Sequence, residues 1–389
     1  MQSSYDVIVA GGGPAGASAS WHLAKAGARV ICLDKSTFPR EKPCGDGITP
    51  RAIKMICEMG LAAEIEKFHR IDTIRLVAHE KTWERPIPKR RGLPDFACVV
   101  SRSVLDEMLL RTAERAGAEV IEDSRVSGPI VDKGVVTGVR ASIDGVDEEV
   151  HAPIVIGADG VSSRIGRGAD MVPPTDFPFA LLVRAQIPAD IAEDSAMSMY
   201  PDIRYRGKSL PGYGWVFPMG DGRINVGLGY VTTMRGWRSV NINECLVEFL
   251  KSLPDKWNLP SIQTIRSGGM LNGWRLSTGL AVWPPWKPGV LLVGDAAGVA
   301  KPFTGAGISR ALQSGHFAAA TALKALEVGD PRDLHAYADQ LQKEWGSYYR
   351  LGRWYQHLLV YPPIMRGFTK LWTMSPEIML RMLGVYRVS

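Results

Sequence analysis

The chain has 389 residues, 46% of them hydrophobic and 22% charged, the balance of a folded, water-soluble protein with room for one large or two medium domains. Its five cysteines (Cys32, Cys44, Cys57, Cys98 and Cys245) are scattered and form no CxxC pair. That argues against a disulfide framework or a zinc site and for a reducing, cytoplasmic setting, so no metal is expected. The net charge is +6, but residues from Gln340 onward carry +5 of it. A diffuse nucleic-acid surface is therefore disfavoured and a local docking surface favoured.

The opening stretch "MQSSYDVIVAGGG" has no basic flank and too short an apolar run, so no signal peptide is expected. No run of about 18 apolar residues occurs, so no transmembrane helix is expected either. "YDVIVAGGGPAGASASWHLAKAGARVICLDK" reads as a β-α-β unit, with strands over Val7–Ala10 and Arg29–Asp34 and a helix over Ala15–Ala26. The loop "FPREKPCGDG" follows, then a helix from Thr49. "IRLVAHEKTWERPIP" alternates as one half-buried strand, and "SRSVLDEMLLRTAERAGAEVIED" as a helix followed by a strand. From Asp176 to about Arg275 short alternating strands dominate, interrupted by a helix over Ile242–Ser252, the texture of a mostly antiparallel sheet. "GVLLVGDAAG" returns to a buried strand and tight turn, a long helix runs from Ile308 to Leu326, and the tail from Leu334 is helical with a break at Pro362–Pro363.

Gly11, Gly13 and Gly16 form GxGxxG between a strand and a helix. The first glycine permits the tight turn, the second lets backbone approach a pyrophosphate, and the third lets helix and strand pack closely, while the helix N-terminus faces the phosphates. Asp34, followed by Lys35, ends the second strand, where a carboxylate takes ribose hydroxyls, and an acid there favours an unphosphorylated ribose, hence FAD or NAD. No second GxGxxG opens a β-α-β unit, so a reducing partner has to dock transiently. That donor is either NAD(P)H or a protein such as a ferredoxin.

Two later motifs separate FAD from NAD. "GADGVSSRIGR" places Asp159 and Gly160 after a strand, and "VLLVGDAAGVAKPFTGAGI" places Gly294 and Asp295 after another, then Gly305, Gly307 and Ile308 at a helix start. In this order the chain resembles the FAD-dependent superfamily of the p-hydroxybenzoate-hydroxylase type. The resemblance implies that Asp295 binds the flavin-side ribitol, that Asp159 supports the pyrophosphate region, and that Arg102 reaches the cofactor. Ala15 falls within the first cofactor-binding turn. Gly305 and Gly307 would let backbone N–H groups approach the flavin ring unobstructed.

"PREKPCGDG", "YGWVFP" and "GVAKPFTGAGI" together look like the geranylgeranyl reductase family, including the menaquinone-saturating reductases. The expected architecture is α/β: a Rossmann-like FAD-binding domain (1–72, 100–175 and 276–330), an inserted, mostly antiparallel substrate domain (73–99 and 176–275), and a C-terminal helical tail (331–389). The implied activity is saturation of isoprenoid C=C bonds of a prenyl lipid by hydride transfer from reduced flavin N5. Tyr213, Trp215 and Phe217 share one face of a strand, either as an aromatic wall for the isoprenoid or as a core ladder. Cys44, Asp46 and Tyr213 are the candidate proton donors, an aspartate needing a pKa raised by burial for that role. Cys44 reads either as a buried structural thiol or as a group beside the flavin. Gly45 and Gly47 would let the chain pass the ring, with Arg40 and Lys42 near enough to meet phosphate.

The tail holds nine aromatic residues from 340 onward, interleaved with Lys and Arg. This suits either an anionic membrane interface, with the protein peripheral to the membrane, or a cap on the catalytic core. A second enzyme class stays open, an FAD monooxygenase or halogenase. "GWVFP" distantly echoes a halogenase WxWxIP stretch, and such an enzyme needs a tunnel lysine, for which Lys81, Lys89 and Lys208 are candidates. A lipid-binding escort on the same fold is the non-enzymatic reading, and the intact flavin motifs argue against it.

Overall fold

The structure is a computed structural model that describes residues 4–78, 81–267, 272–358, 361, 364 and 367. It divides into two compact units. The first comprises residues 1–41, 103–177 and 277–352, and the second residues 42–102, 178–276 and 353–389.

The first unit is built on a six-stranded sheet. Its central strand, Val7–Ala10, pairs in parallel with Val30–Leu33 on one side and Ile154–Gly157 on the other. Ile154–Gly157 in turn pairs in parallel with Val290–Leu292. All four are fully buried, which is why they read as continuous apolar runs and not as alternating ones. The helices Pro14–Lys25 and Ile308–Val328 lie against each other. Their approach is allowed by Gly315, where any Cβ would land on the Ala15 carbonyl, and is tied by the Ser18 hydroxyl donating to the Leu312 carbonyl at 2.9 Å. A three-stranded antiparallel sheet of Arg125–Asp132, Val135–Ile143 and Val146–His151 completes this unit.

The second unit holds a seven-stranded sheet; of its described pairings, Ala196–Tyr200 beside Thr73–Ala78 is parallel and the others are antiparallel. One face, with Val183, Ala185, Ile187, Val216, Val226 and Leu228, packs on the helix Ile242–Lys251 through Leu246, Phe249 and Leu250. Period-two alternation sends the neighbouring residues to the opposite face.

One expected element changes here, and the compact units have their own bounds. The single strand expected over "IRLVAHEKTWERPIP" is a hairpin of Thr73–Ala78 and Lys81–Pro86, because both halves alternate and periodicity alone does not reveal a turn between them. Residues 42–72, assigned above to the nucleotide domain, cluster with the second unit. Gly47–Ile48 and Arg70–Ile71 both pair with Ala97–Val99, and the Asp72 and Thr73 amides donate to the Ser195 carbonyl. Residues 331–352 of the expected tail belong to the first unit, and 335–352 of them lie in the helix His335–Leu358. Phe368, Trp372, Tyr386 and the Pro362–Pro363 break lie outside the described residues.

Candidate active site

In the first unit the parallel register brings four motifs to one edge of the sheet. Ala10 is level with Leu33 and Gly157, and Gly157 with Leu292. The glycine fingerprint, Asp34, Asp159 and Asp295 therefore all follow the carboxyl ends of adjacent strands, the place where open α/β sheets bind ligands.

The glycines there do different work. Gly11 has φ +109°, and a Cβ on it would sit 2.5 Å from the Ala158 carbonyl oxygen. A Cβ on Gly16 would strike the Gly11 carbonyl. Both are required by packing. Gly13 is open: a Cβ there would meet only Arg40 Nη2, at 3.5 Å. Gly13 caps the helix Pro14–Lys25 with no side-chain hydrogen bond, so no capping side chain occupies the helix N-terminus beside the Arg40 guanidinium. Arg40 is held there by a 3.0 Å ion pair with the fully buried Asp106. Asp34 is buried and accepts from the Gly12 amide at 2.7 Å and the Ser36 amide at 2.9 Å, leaving lone pairs for ribose hydroxyls. Gly307 repeats the arrangement at the start of Ile308–Val328, again without a side-chain cap, and a Cβ on it would touch only Ala300 and Gly305 at the outer limit of contact. An anionic dinucleotide fits this donor set.

Other motif residues serve the frame. The Asp159 carboxylate accepts from the Ser163 hydroxyl at 2.6 Å and from the Arg164 and Ile165 amides at 2.6 and 3.1 Å, so it caps the short helix Arg164–Gly168. Gly160 takes φ +81° beside it. Ala15 is buried, and a Cβ on Gly294 would meet its methyl group at 2.9 Å. Lys35 is exposed, Ile308 is buried, Asp295 lies in the turn Gly294–Ala296, and Gly305 has φ +65°.

In the second unit, strand pairing places Tyr213, Trp215 and Phe217 opposite Gly229, Gly227 and Asn225, and Asn225 opposite Gln186. The three rings line up at centroid spacings of 6.1 and 6.4 Å, as the i, i+2, i+4 spacing predicts. The loop Cys44–Gly47 lies against them. A Cβ on Gly45 would meet the Phe217 ring at 3.3 Å and Trp215 Nε1 at 3.4 Å, and one on Gly47 would meet the Met197 methyl at 3.2 Å. Trp215 is itself buried, fills the space a Gly227 side chain would occupy, and donates its indole N–H to Asn225 Oδ1 at 2.8 Å.

Asp46 is the buried carboxyl of this face. It is fully buried and takes φ +61°. Its Oδ2 accepts from Asn225 Nδ2 at 2.6 Å and Gln186 Nε2 at 2.7 Å. Burial pushes its carboxyl up to about 6, against the opposing pull of Arg184, Asn225, Gln186 and Arg102. Burial and then the Asp46 charge push the Cys44 thiol up, against Arg102, Asp46's backbone and Lys42. Burial, with Cys44 adding, also pushes the Tyr213 phenol up. At neutral pH, Cys44 and Tyr213 therefore keep their protons, while Asp46 titrates just below it. Arg184, Gln186 and Asn225 escaped the sequence reading. The available signal was polar residues at inward positions of otherwise apolar strands, "LLVRAQI" and "RINVGLGYV".

All five cysteines are free thiols. Among the described residues no cluster of His, Cys, Asp or Glu is arranged to hold a metal ion, and no helix is long and apolar enough to cross a membrane. Lys81, Lys89 and Lys208, the lysines considered for a halogenase tunnel, are all exposed. Of the described tail aromatics, Trp345, Tyr348, Tyr349 and Tyr355 are buried, whereas Trp354 and Tyr361 are exposed.

Comparison with known proteins bears on the family and the fold. Residues 4–197 match the FAD binding domain family. The menaquinone reductase of Mycobacterium tuberculosis is 29% identical over 97% of this chain and 91% of its own length. The geranylgeranyl diphosphate reductase of Rhodobacter capsulatus is 33% identical over 90% of this chain and 83% of its own. A geranylgeranyl bacteriochlorophyll reductase-like protein from Thermoplasma acidophilum superposes with a TM-score of 0.75 at 25% identity, covering 98% of this chain and 99% of that one. Fingerprint, fold and relatives converge, and the chain belongs to the geranylgeranyl reductase family of FAD-binding oxidoreductases.

Proposed function

We propose that this flavoprotein saturates isolated C=C bonds in the isoprenoid chain of a prenyl lipid, a geranylgeranyl lipid or a prenylquinone. The observation that carries the reading is the aromatic row Tyr213, Trp215 and Phe217 covered by the CGDG loop, with a buried acid of raised pKa at its centre. When bound and reduced, the flavin supplies a hydride equivalent to one alkene carbon, and the other carbon takes one proton.

The chain's own residues hold the cofactor and manage that proton. The helix N-termini at Gly13 and Gly307 and the Arg40 guanidinium bind the anionic dinucleotide, and Asp34 its ribose. Gly11 and Gly16, with Asp159, Gly160, Gly294 and Asp295, shape and complete the cradle. Arg102 reaches the cofactor, as the family resemblance implies, and the loop Cys44, Gly45, Asp46 and Gly47 passes beside the flavin ring. Tyr213 and Phe217, the partly exposed rings of the row, contact the isoprenoid, and Trp215 supports them. Their faces favour positive charge developing on an alkene carbon. Asp46 is the acid nearest the working pH, as a general acid requires. Cys44 and Tyr213, protonated at neutral pH, are its alternates. An unactivated alkene accepts hydride poorly unless protonation accompanies it, so a dry, tight site is needed.

The electron donor, NAD(P)H or a ferredoxin-like protein, docks transiently. The exposed Trp354 and Tyr361, with the basic tail, support contact with an anionic membrane surface, where a prenyl substrate resides. Co-sedimentation with anionic vesicles tests that contact: Trp354→Ser should weaken it, and equal binding by both proteins would refute it.

The activity test is anaerobic incubation of the dithionite-reduced protein with a panel of prenyl lipids. Flavin reoxidation with a gain of two hydrogen atoms per bond is expected. A broad panel with no lipid saturated would defeat the proposal.

A further inference from the structure

Asn225 is fully buried on the inner face of the strand Arg223–Val231, and each of its side-chain polar atoms has a partner. Oδ1 accepts the Trp215 indole N–H at 2.8 Å, and Nδ2 donates to the Cys44 carbonyl at 2.8 Å and to Asp46 Oδ2 at 2.6 Å. The orientation of the amide has no alternative, because an indole nitrogen only donates and a backbone carbonyl only accepts. Gln186 supplies a second N–H to the same Asp46 oxygen at 2.7 Å. Asp46 Oδ1 is buried with no hydrogen-bond partner.

We infer that Asn225 is a positioning residue for the proton-donating loop: it fixes the Cys44 carbonyl and, with Gln186, reserves Asp46 Oδ2 for N–H donors, so that the carboxyl proton resides on Oδ1. Two donors converging on Oδ2 leave no acceptor there for an O–H, whereas Oδ1 carries the proton without displacing anything. The same bonds stabilise the ionised carboxylate and temper the effect of burial, which keeps the group titrating near neutrality instead of far above it. Trp215 is then the strut that holds the Asn225 amide. This assignment deepens the alkene-reduction reading and rests on it for its catalytic meaning.

The test uses the purified flavoprotein without substrate. The Asp46 carboxylic acid is followed by infrared titration of its C=O stretch, identified by its absence in Asp46→Asn. Asn225→Leu removes one donor from Oδ2, so the midpoint should rise by about one pH unit, a tenfold gain in proton affinity. Gln186→Leu should produce a similar rise. Only the Asn225 variant frees the Cys44 carbonyl, so at pH 9, where Asp46 is ionised in every variant and its charge on Cys44 is the same, it alone should change the rate of Cys44 alkylation. Asn225→Asp keeps the shape and the acceptor for Trp215. It places a second carboxyl beside Asp46, and its midpoint should also rise if the leucine variant does not fold. An unchanged midpoint in the folded Asn225 variants overturns the inference, as does equal Cys44 reactivity in the Asn225 and Gln186 variants. Neither readout involves an alkene, so a failure of the substrate reading would leave both intact.

Discussion

The α-carbon of Gly16 faces the carbonyl oxygen of Gly11, five residues earlier, so closely that a single methyl group on Gly16 would occupy the oxygen's position. Helix and strand meet backbone to backbone at the cofactor turn, and neither partner can yield without breaking the buried sheet edge.

The two glycines of that turn should therefore part company on substitution. Gly16→Ala should cost several kcal/mol, the overpacking penalty of a rigid core, and yield little folded flavoprotein. Gly13→Ala has only the Arg40 side chain as a neighbour and should fold with near-normal stability but bind FAD weakly. Thermal melts of the apoprotein beside flavin content by absorbance check this; equal FAD retention in Gly13→Ala would contradict it.

Arg40→Ala should lower FAD affinity by tenfold or more, since it removes a charge beside the helix N-terminus, and it also breaks the 3.0 Å ion pair with the buried Asp106. Arg40→Ala combined with Asp106→Asn separates the effects. Stability should recover and FAD affinity should not, as read by flavin release on dilution.

Asp46 makes stability depend on pH in a definite direction. Its folded value of about 6 lies above its ordinary 3.8, so the fold binds its proton more tightly than the unfolded chain does. The associated stability is fully present below about pH 4 and is lost as pH rises through 6. The loss is about 3 kcal/mol. Asp46→Asn should remove this dependence, so its stability relative to wild type should be higher at pH 8 than at pH 4. Denaturant melts at the two pH values decide it.

His22 acts in the opposite sense. Its ring meets His316 at 3.0 Å between Nε2 and Nδ1, and burial, with the His316 charge adding, lowers it to about 4. The fold therefore prefers neutral His22, and that stability is present above about pH 6.5 and lost as pH falls toward 4. His22→Gln should flatten the acid limb of the stability profile, measured by thermal melts between pH 7 and pH 4.

Cys44→Ala should leave FAD bound while altering prenyl reduction. In the wild type, Cys44 should alkylate slowly at pH 7 and faster above pH 9, because burial and Asp46 hold the thiol protonated. Rapid alkylation at pH 7 would count against this environment.

The sequence by itself determined the nucleotide half of the protein. Gly11, Gly13, Gly16 and Asp34 lie within one β-α-β unit, so strand run, glycine spacing and terminal acid declare the turn locally, and the order of the Asp159 and Asp295 motifs distinguished the cofactor. The aromatic row was legible for the same reason, since residues two apart in a strand share a face whatever the fold. What surrounds Asp46 was not. Asn225 reaches it across 179 residues and Gln186 across 140, and neither side chain has a local signature, because an amide in a strand acquires meaning only from what the neighbouring strand brings opposite. Likewise, periodicity did not show that residues 42–72 cluster with the second unit or that the Trp215 indole donates to the Asn225 amide. Those outcomes depend on long-range strand register and burial, and burial is what turns an ordinary aspartate into an acid poised near neutral pH.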